Sequence, residues 1–178
     1  MNLSDKAKKI KVIILDIDGV LTDGRFGYDN SSENEIKFFH ARDGHGITLA
    51  RRAGLKVGVL SGRICAANRK RAAELNFNFC KENCHSKGEG FQELIAELGV
   101  NADECLYIGD DVVDALPMSM AGVSVVVNDG EDILDKVADF RTETKGGHGA
   151  VREVINWLLK EQGLYQTFVM ERYFPKND

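Results

Sequence analysis

Short apolar runs alternate with longer amphipathic stretches along most of the chain. The first run is Val12–Leu15, with Ile10 just before it, and an unbroken run of this kind is typical of a strand buried on both faces inside a parallel sheet. Four more runs predict core strands at residues 55–60, 77–80, 104–109 and 123–127. Because helical patterns separate these strands, the sequence predicts an α/β fold with a doubly wound parallel sheet covered by helices on both faces.

The amphipathic stretches predict where the helices begin and end. Residues 43–46 form a predicted turn before a helix that runs to Arg52, where Ala53 and Gly54 stop it. A second helix is predicted over residues 64–75, and a third runs from Lys87 to Leu98 and is closed by Gly99. A glycine-rich turn at residues 145–149 leads into a last helix that ends near residue 161.

Two aromatic segments lie outside this alternation. Residues 25–28 and 35–39 flank the polar stretch 29–34, a pattern typical of a β-hairpin spanning about residues 24–39. A two-stranded hairpin is only marginally stable alone, so we expect it to pack against another subunit. The tail, residues 164–178, is also rich in large apolar side chains. Disordered segments contain few of these, so we expect the tail to dock onto a folded surface.

Length and composition narrow the class of protein. A chain of 178 residues suits one domain, predicted over residues 1–178, with a substantial core. The formal net charge of -5 and the scattered cations argue against a nucleic-acid partner. No run of about eighteen apolar residues is present, and the polar N-terminal segment does not resemble a signal peptide. The sequence therefore predicts a cytoplasmic protein without a membrane partner.

The four cysteines allow two interpretations. Cys80, Cys84 and His85 lie close together in the sequence, but no second Cys or His pair follows at the spacing of a zinc finger. Reduced, mostly buried thiols are therefore favoured over a zinc site. The role of Cys80, Cys84 and His85 stays open.

Acidic residues follow two of the predicted strands. Asp16 and Asp18 come directly after the first strand, and Asp110, Asp111 and Asp114 follow the fourth. The carboxyl ends of parallel strands lie at one edge of a sheet, so we expect these carboxylates to converge. Their mutual repulsion is relieved by a hard divalent cation, and Mg²⁺ suits carboxylate oxygens together with water and a phosphate.

Groups that suit an anion accompany these acids. Ser61, Gly62 and Arg63 follow the second strand, and Lys87 begins a helix. A hydroxyl, an ammonium and backbone amides hold phosphoryl oxygens, while one carboxylate attacks phosphorus and a neighbour moves the proton. The set therefore predicts phosphoryl transfer. Each of these residues also has an ordinary structural interpretation when it is considered alone. Ser61 could be a common turn residue, Lys87 could be a solvent-exposed lysine, and Arg63 could pair with an acid on the surface.

Four motifs together resemble those of the haloacid dehalogenase superfamily of phosphatases. They are Asp16-Ile17-Asp18-Gly19-Val20, Ser61-Gly62-Arg63, Lys87 and Gly109-Asp110-Asp111-Val112-Val113-Asp114. The resemblance implies that Asp16 is the nucleophile that forms an aspartyl-phosphate. It also implies that Asp18 protonates the leaving oxygen and later activates water.

The same resemblance implies the roles of the other motif residues. Mg²⁺ would be held by Asp16, Asp110 and the carbonyl of Asp18. Ser61 and Lys87 would bind the phosphoryl group. Asp111 and Asp114 would support the metal's outer shell or orient Lys87.

Finer features resemble one branch of this superfamily, the 3-deoxy-D-manno-octulosonate 8-phosphate phosphatases, over about residues 10–159. The matching stretches are residues 16–24, 39–46, 61–63 and 146–153. This resemblance implies a sugar-acid phosphate substrate in lipopolysaccharide precursor synthesis. It also implies a homotetramer without a cap domain, in which a neighbour's hairpin and tail cover the site. Candidate substrate contacts are Gly62, Arg63, Asp43 and His148.

Two features depart from that branch. Residues 81–86 replace a usual Gln-Gly step, and His148 stands where arginine is common. Because both departures surround the leaving group, alternatives stay open for the substrate: an N-acylneuraminate or other nonulosonate 9-phosphate, or a broad range of phosphate monoesters. The alternative outside enzymology is an inactive homologue that serves as an oligomeric binding module.

Overall fold

A single parallel sheet forms the centre of the computed structural model, which describes residues 2–30 and 35–174. In chain order the strands are β1 (Val12–Leu15), β2 (Gly27–Tyr28), β3 (Glu35–Ile36), β4 (Lys56–Leu60), β5 (Phe79–Lys81), β6 (Cys105–Gly109), β7 (Val123–Val126) and β8 (Phe140–Arg141). Six of them pair in parallel in the order β5-β4-β1-β6-β7-β8. The predicted α/β fold with a doubly wound parallel sheet is confirmed.

Helices cover both faces of this sheet. They are α1 (Leu3–Ala7), α2 (Ala41–Arg52), α3 (Ala66–Glu74), α4 (Lys87–Leu98), α5 (Ala115–Met120), α6 (Ala150–Glu161) and α7 (Glu171–Tyr173). Short 3₁₀ segments lie at residues 102–104, 112–114 and 132–136, and a π-helical turn lies at Gln166–Met170. In the described part of the chain, no helix is long and apolar enough to cross a membrane.

The central strand β1 is buried on both faces, as its apolar run predicts. Ile13 and Leu15 belong to the core beneath α2 and α6. Val12 and Ile14 point to the opposite face, where α4 and α5 pack. Side chains alternate between the faces of a strand, so these four residues pack into both apolar layers, two on each side of the sheet. Their burial fixes the position of Asp16, the next residue.

Helix α4 has the predicted bounds, and Gly99 closes it in a left-handed conformation (φ +65°). Helix α2 corrects the prediction, because it begins at Ala41 and contains the stretch 43–46 that was predicted as a turn. The reason is close packing: a Cβ on Gly46 would lie 3.0 Å from Arg152 Cδ of α6. The glycine allows two helices to approach, rather than allowing a turn.

The predicted hairpin is confirmed by antiparallel pairing of β2 with β3, although residues 31–34 of its connection lie outside the described residues. Tyr28 and Phe38 on this hairpin are largely exposed. Between β1 and β4 the described residues form the hairpin and one helix, with no separate cap domain.

The tail docks onto the chain's own core, as expected. Leu164 and Tyr165 pack against the layer beneath α2 and α6, and Val169 is buried. The Tyr173 hydroxyl lies 3.0 Å from His45 Nε2. Residues 175–178 of the predicted tail lie outside the described residues.

The four thiols are free, and Cys65, Cys84 and Cys105 are buried while Cys80 is exposed. Burial raises the pKa of Cys105 to about 12. Mostly buried, reduced thiols agree with the interpretation that the sequence favours.

Candidate active site

Polar side chains from three neighbouring strands meet at the carboxyl edge of the sheet. Asp16 follows β1, Ser61 follows β4 and Asp110 follows β6, and β1 pairs with both of the other strands. Carboxylate oxygens of Asp16, Asp110 and Asp114 lie within 4.8 Å of one another. The structure thus brings together three of the five acids that strand topology predicts to converge, whereas Asp18 is paired with Lys37 and Asp111 accepts from the Val112 N–H instead.

The ammonium group of Lys87 joins this cluster. Its Nζ lies 2.8 Å from Asp16 Oδ1 and 2.7 Å from Asp114 Oδ1, and its side chain is buried. Burial lowers the pKa of Lys87, but the negative charges of Asp16 and Asp114 outweigh this effect and hold that pKa above its ordinary value. Lys87 is therefore a fixed positive charge beside the predicted nucleophile.

Asp114 is a fully buried acceptor that orients its neighbours. Besides the contact with Lys87, its Oδ1 accepts a hydrogen bond from the Tyr107 hydroxyl (2.7 Å). Its Oδ2 accepts from the backbone N–H groups of Asp110 (3.1 Å) and Asp111 (3.4 Å). A buried carboxylate needs such partners. Asp114 therefore fixes both the Lys87 ammonium and the loop that carries Asp110.

A divalent cation fits the remaining acids. Asp110 Oδ1 is buried and has no hydrogen-bond partner among the described residues. Burial, reinforced by the charges of Asp16 and Asp114, raises the pKa of Asp110 to about 8, and burial raises the pKa of Asp16 to about 6. A bound Mg²⁺ would satisfy these oxygens. Because protein groups already engage both oxygens of Asp114, Asp16 and Asp110 are the better candidate ligands.

Glycines shape the loop after β1. Gly19 has φ +101°, and a Cβ there would lie 1.9 Å from Asp110 Oδ2. The predicted glycine-rich turn at 145–149 packs onto the same loop: a Cβ on Gly146 would lie 1.6 Å from the Gly19 oxygen, and the Gly147 N–H donates to Val20 O (2.9 Å). These glycines permit close approach of backbone to backbone and to the acidic cluster.

The hairpin contributes a lysine that sequence reasoning missed. Lys37 Nζ donates to Asp18 Oδ1 (2.6 Å) and to Asn68 Oδ1 (3.0 Å), and its side chain is 0% exposed. The sequence carries no signal for this, because alternation along a strand would turn the apolar Ile36 and Phe38 inward and Lys37 outward. The structure shows the reverse, with Ile36 and Phe38 exposed and Lys37 buried.

Arg63 lies on the open side of Asp18. Its guanidinium pairs with Glu35 of β3 and lies over the Phe26 ring, with 4.4 Å from Cζ to the ring centroid. Its Nε lies 4.0 Å from Asp18 Oδ2. Arg63 therefore pairs with an acid, the alternative considered from sequence, but this acid belongs to the hairpin at the site. Ser61 is buried, and its Oγ accepts from the Arg63 N–H (3.2 Å).

The other candidate residues occupy different surroundings. Asp43 is buried between α2 and α6, where its Oδ1 accepts from the Arg152 N–H (2.7 Å). His148 Nδ1 lies 2.7 Å from the Gly146 oxygen. Asp111 accepts from the Val112 N–H and begins the short turn that ends at Asp114. The structure does not join Asp43 to the acidic cluster, and the substrate contacts of Asp43 and His148 stay predictions.

Comparison with known proteins finds similar sequences over nearly the whole chain. A family model described as haloacid dehalogenase-like hydrolase matches residues 66–155. The 3-deoxy-D-manno-octulosonate 8-phosphate phosphatase KdsC of Escherichia coli K12 is 38% identical over 158 residues, covering 89% of this chain and 84% of that protein. The Haemophilus influenzae protein of the same name is 37% identical over 175 residues, covering 98% and 97%.

Solved structures give the same picture. The 3-deoxy-D-manno-octulosonate 8-phosphate phosphatase of Moraxella catarrhalis, in complex with a magnesium ion, a phosphate ion and KDO, matches with a TM-score of 0.90 and 34% identity, covering 93% of this chain and 95% of that one. The cobalt-bound form of the Haemophilus influenzae enzyme matches with a TM-score of 0.84 and 39% identity, covering 89% and 92%.

Proposed function

The chain belongs to the haloacid dehalogenase-like hydrolases and, among them, to the 3-deoxy-D-manno-octulosonate 8-phosphate phosphatases, and from this we infer its activity. It is a Mg²⁺-dependent phosphoric monoester hydrolase that converts 3-deoxy-D-manno-octulosonate 8-phosphate to 3-deoxy-D-manno-octulosonate and phosphate. The observation that carries this function is the cluster of Asp16, Asp110 and Asp114, with the Lys87 ammonium paired to Asp16 and Asp114.

The first step transfers the phosphoryl group to Asp16. A carboxylate oxygen of Asp16 attacks phosphorus, the bond from phosphorus to the sugar oxygen breaks, and Asp18 gives its proton to that oxygen. Lys87, already 2.8 Å from Asp16 Oδ1, and Ser61 bind the phosphoryl oxygens with backbone N–H groups. Arg63 and Gly62 contact the rest of the substrate.

The second step regenerates the enzyme. Water attacks the phosphorus of the aspartyl-phosphate and passes a proton to Asp18. The bond between phosphorus and the Asp16 oxygen then breaks, releasing phosphate. Mg²⁺, held by Asp16, Asp110 and the Asp18 carbonyl, would neutralise charge on the phosphoryl oxygens.

The proposal extends to assembly and location. A homotetramer is supported by the exposed aromatic side chains of the hairpin, Tyr28 (65%) and Phe38 (73%), because exposed apolar patches mark interaction surfaces. Sedimentation equilibrium tests this, and a monomer at all concentrations would contradict it. A cytoplasmic location is proposed from the sequence.

A substrate comparison tests the activity. Phosphate release with Mg²⁺ is measured from 3-deoxy-D-manno-octulosonate 8-phosphate, N-acetylneuraminate 9-phosphate and common sugar phosphates, with EDTA and Asp16→Asn as controls. The expected result is a kcat/KM highest for the octulosonate and lost in both controls. Equal rates across the panel, or preference for the nine-carbon acid, would overturn the substrate. No release from any compound would make the inactive binding module the better account.

A further inference from the structure

Lys37 is a buried ammonium group whose position needs an explanation. Its side chain is 0% exposed, and removing an ammonium from water is unfavourable unless partners replace the lost hydration. Its close partners are Asp18 Oδ1 (2.6 Å) and Asn68 Oδ1 (3.0 Å), and Glu35 Oε2 lies farther away at 3.9 Å. A buried ion pair of this kind is weak evidence for a role in stability. Its contact with Asp18, the proposed proton carrier, points to a role in the site instead.

The contacts treat the two oxygens of Asp18 differently. Lys37 holds Oδ1 at hydrogen-bond distance, whereas Oδ2 lies 4.0 Å from Arg63 Nε, on the open side of the site. Asn68 in α3 is buried, and its Oδ1 accepts a second hydrogen bond from the Lys37 ammonium, which holds that ammonium in place. The Asp18 carboxyl is thus anchored through Oδ1, while Oδ2 lies near the half-exposed Arg63 guanidinium without a contact as short as that of Oδ1.

We propose that Lys37 is a positioning residue that holds Asp18 through Oδ1, so that Oδ2 is the oxygen that gives the proton to the leaving group and later accepts one from water. This inference rests on the proposed function, in which Asp18 carries those protons. Among the described residues, the polar partners of the Lys37 ammonium are Asp18, Asn68 and Glu35, and not the nucleophile Asp16. It makes the hairpin part of the catalytic machinery within one chain.

The leaving group distinguishes this role from a structural one. A sugar alcohol is a poor leaving group that needs the proton of Asp18, whereas p-nitrophenolate leaves without one. Hydrolysis of the aspartyl-phosphate needs Asp18 as a base with either substrate. If Asp18 is no longer positioned, the rate of phosphoryl transfer from p-nitrophenyl phosphate to Asp16 should therefore stay unchanged. The rate of transfer from the sugar phosphate and the rate of hydrolysis of the aspartyl-phosphate should both fall.

The experiment compares Lys37→Met with Lys70→Met, which removes the same charge from the exposed face of α3 beside the hairpin. For Lys37→Met, we expect kcat on 3-deoxy-D-manno-octulosonate 8-phosphate to fall by about 10²-fold, within the range that general acid–base catalysis supplies. The pre-steady-state burst of p-nitrophenolate should keep the parental rate while the following steady state slows. Lys70→Met should behave as the parent enzyme with both substrates.

Several outcomes would overturn the inference. A burst that slows in parallel with kcat would indicate a merely structural role, and unchanged kinetics would exclude any role for Lys37. If thermal unfolding shows that Lys37→Met does not fold, Asn68→Ala keeps the ammonium but removes its second acceptor. It should shift the same parameters in the same direction by a smaller factor, and unchanged kinetics in Asn68→Ala would then reject the inference.

Asp18→Asn separates this inference from the proposed function. It removes the proton carrier, so with p-nitrophenyl phosphate it must itself keep the parental burst rate while its steady-state rate falls. If Asp18→Asn turns over the octulosonate normally, the proposed function fails. If Asp18→Asn keeps the burst rate while its steady-state rate falls and Lys37→Met does not, only the role of Lys37 fails.

Discussion

At the scale of single residues, the site depends on a glycine as much as on its acids. Gly19 combines a positive φ of +101° with a position where any Cβ would overlap the Asp110 carboxylate. Asp110 in turn has a buried oxygen without a hydrogen-bond partner in the described part of the chain. A side chain at position 19 would therefore displace a proposed metal ligand, besides straining the backbone.

Gly19→Ala should lose most phosphatase activity and raise the Mg²⁺ concentration needed for half-maximal rate, because the new methyl group displaces Asp110. Gly54→Ala is the matched control: Gly54 also has a positive φ (+92°), but a Cβ there would meet nothing within 4 Å. Both variants should lose about 1 kcal/mol of stability from backbone strain, measured by denaturant unfolding. Full activity at ordinary Mg²⁺ in Gly19→Ala would contradict this account of the loop.

At the scale of elements, a buried acid links helix α2 to helix α6. The Asp43 carboxylate in α2 accepts the Arg152 N–H in the first turn of α6 (2.7 Å), where a helix leaves its N–H groups without partners. Burial raises the pKa of Asp43 despite this hydrogen bond and the nearby His40. Asp43 thus caps α6, but its negative charge in a buried position lowers the stability of the folded protein.

The raised pKa of Asp43 predicts that the free energy of unfolding depends on pH. When an acid has a higher pKa in the folded state than in the unfolded chain, the folded state binds the proton more tightly, and stability falls as pH rises through the folded pKa. Asp43→Asn keeps an oxygen acceptor but does not titrate. Its free energy of unfolding relative to the parent should therefore increase as pH rises above about 4, the ordinary pKa of an aspartate, and through the raised pKa of Asp43 in the folded protein.

Asp43→Ala provides the comparison, because it removes the acceptor and should cost about 1 kcal/mol, as the loss of a helix cap does. Denaturant unfolding at several pH values measures both variants. A pH-independent difference between Asp43→Asn and the parent would contradict the raised pKa of Asp43, and unchanged stability in Asp43→Ala would contradict the capping role. A raised KM with unchanged stability would instead favour the substrate contact that the sequence predicts.

Elements differ in how well the sequence predicts them, for physical reasons. The bounds of α4 are predictable because Gly99 stops the helix locally in a left-handed conformation. The start of α2 is not, since Gly44 and Gly46 look like turn residues until α3 is known to pack against Gly44 and α6 against Gly46. The two-residue strand β8 carries no periodic signal, because pairing with β7 alone defines it.

The residues of the candidate site also differ in how well the sequence predicts them. Asp16 and Asp110 are predictable because each follows a buried strand of a parallel sheet. The contact between Lys37 and Asp18 depends on how the hairpin folds back, which neither motif nor spacing determines. Asp43 was selected from its motif context, yet only the tertiary structure shows its contact with Arg152.

At the scale of the whole molecule, the order of strands places the chemistry. β1 is central, with β4 on one side and β6 on the other, so the ends of three adjacent strands supply Asp16, Ser61 and Asp110. The hairpin that leaves this edge brings Lys37 to Asp18 and pairs Glu35 with Arg63. One sheet edge and one hairpin thus assemble the proposed active site.

The proposed mechanism requires that Asp16 carries the phosphoryl group during hydrolysis. The most direct measurement mixes the enzyme and Mg²⁺ with 3-deoxy-D-manno-octulosonate 8-phosphate, quenches with acid on the millisecond scale, and maps phosphorylated peptides by mass spectrometry. We expect one phosphoryl group on Asp16, formed and lost within a turnover and absent from Asp16→Asn. Turnover without any phosphorylated aspartate, or a phosphoryl group on a different residue, would contradict it.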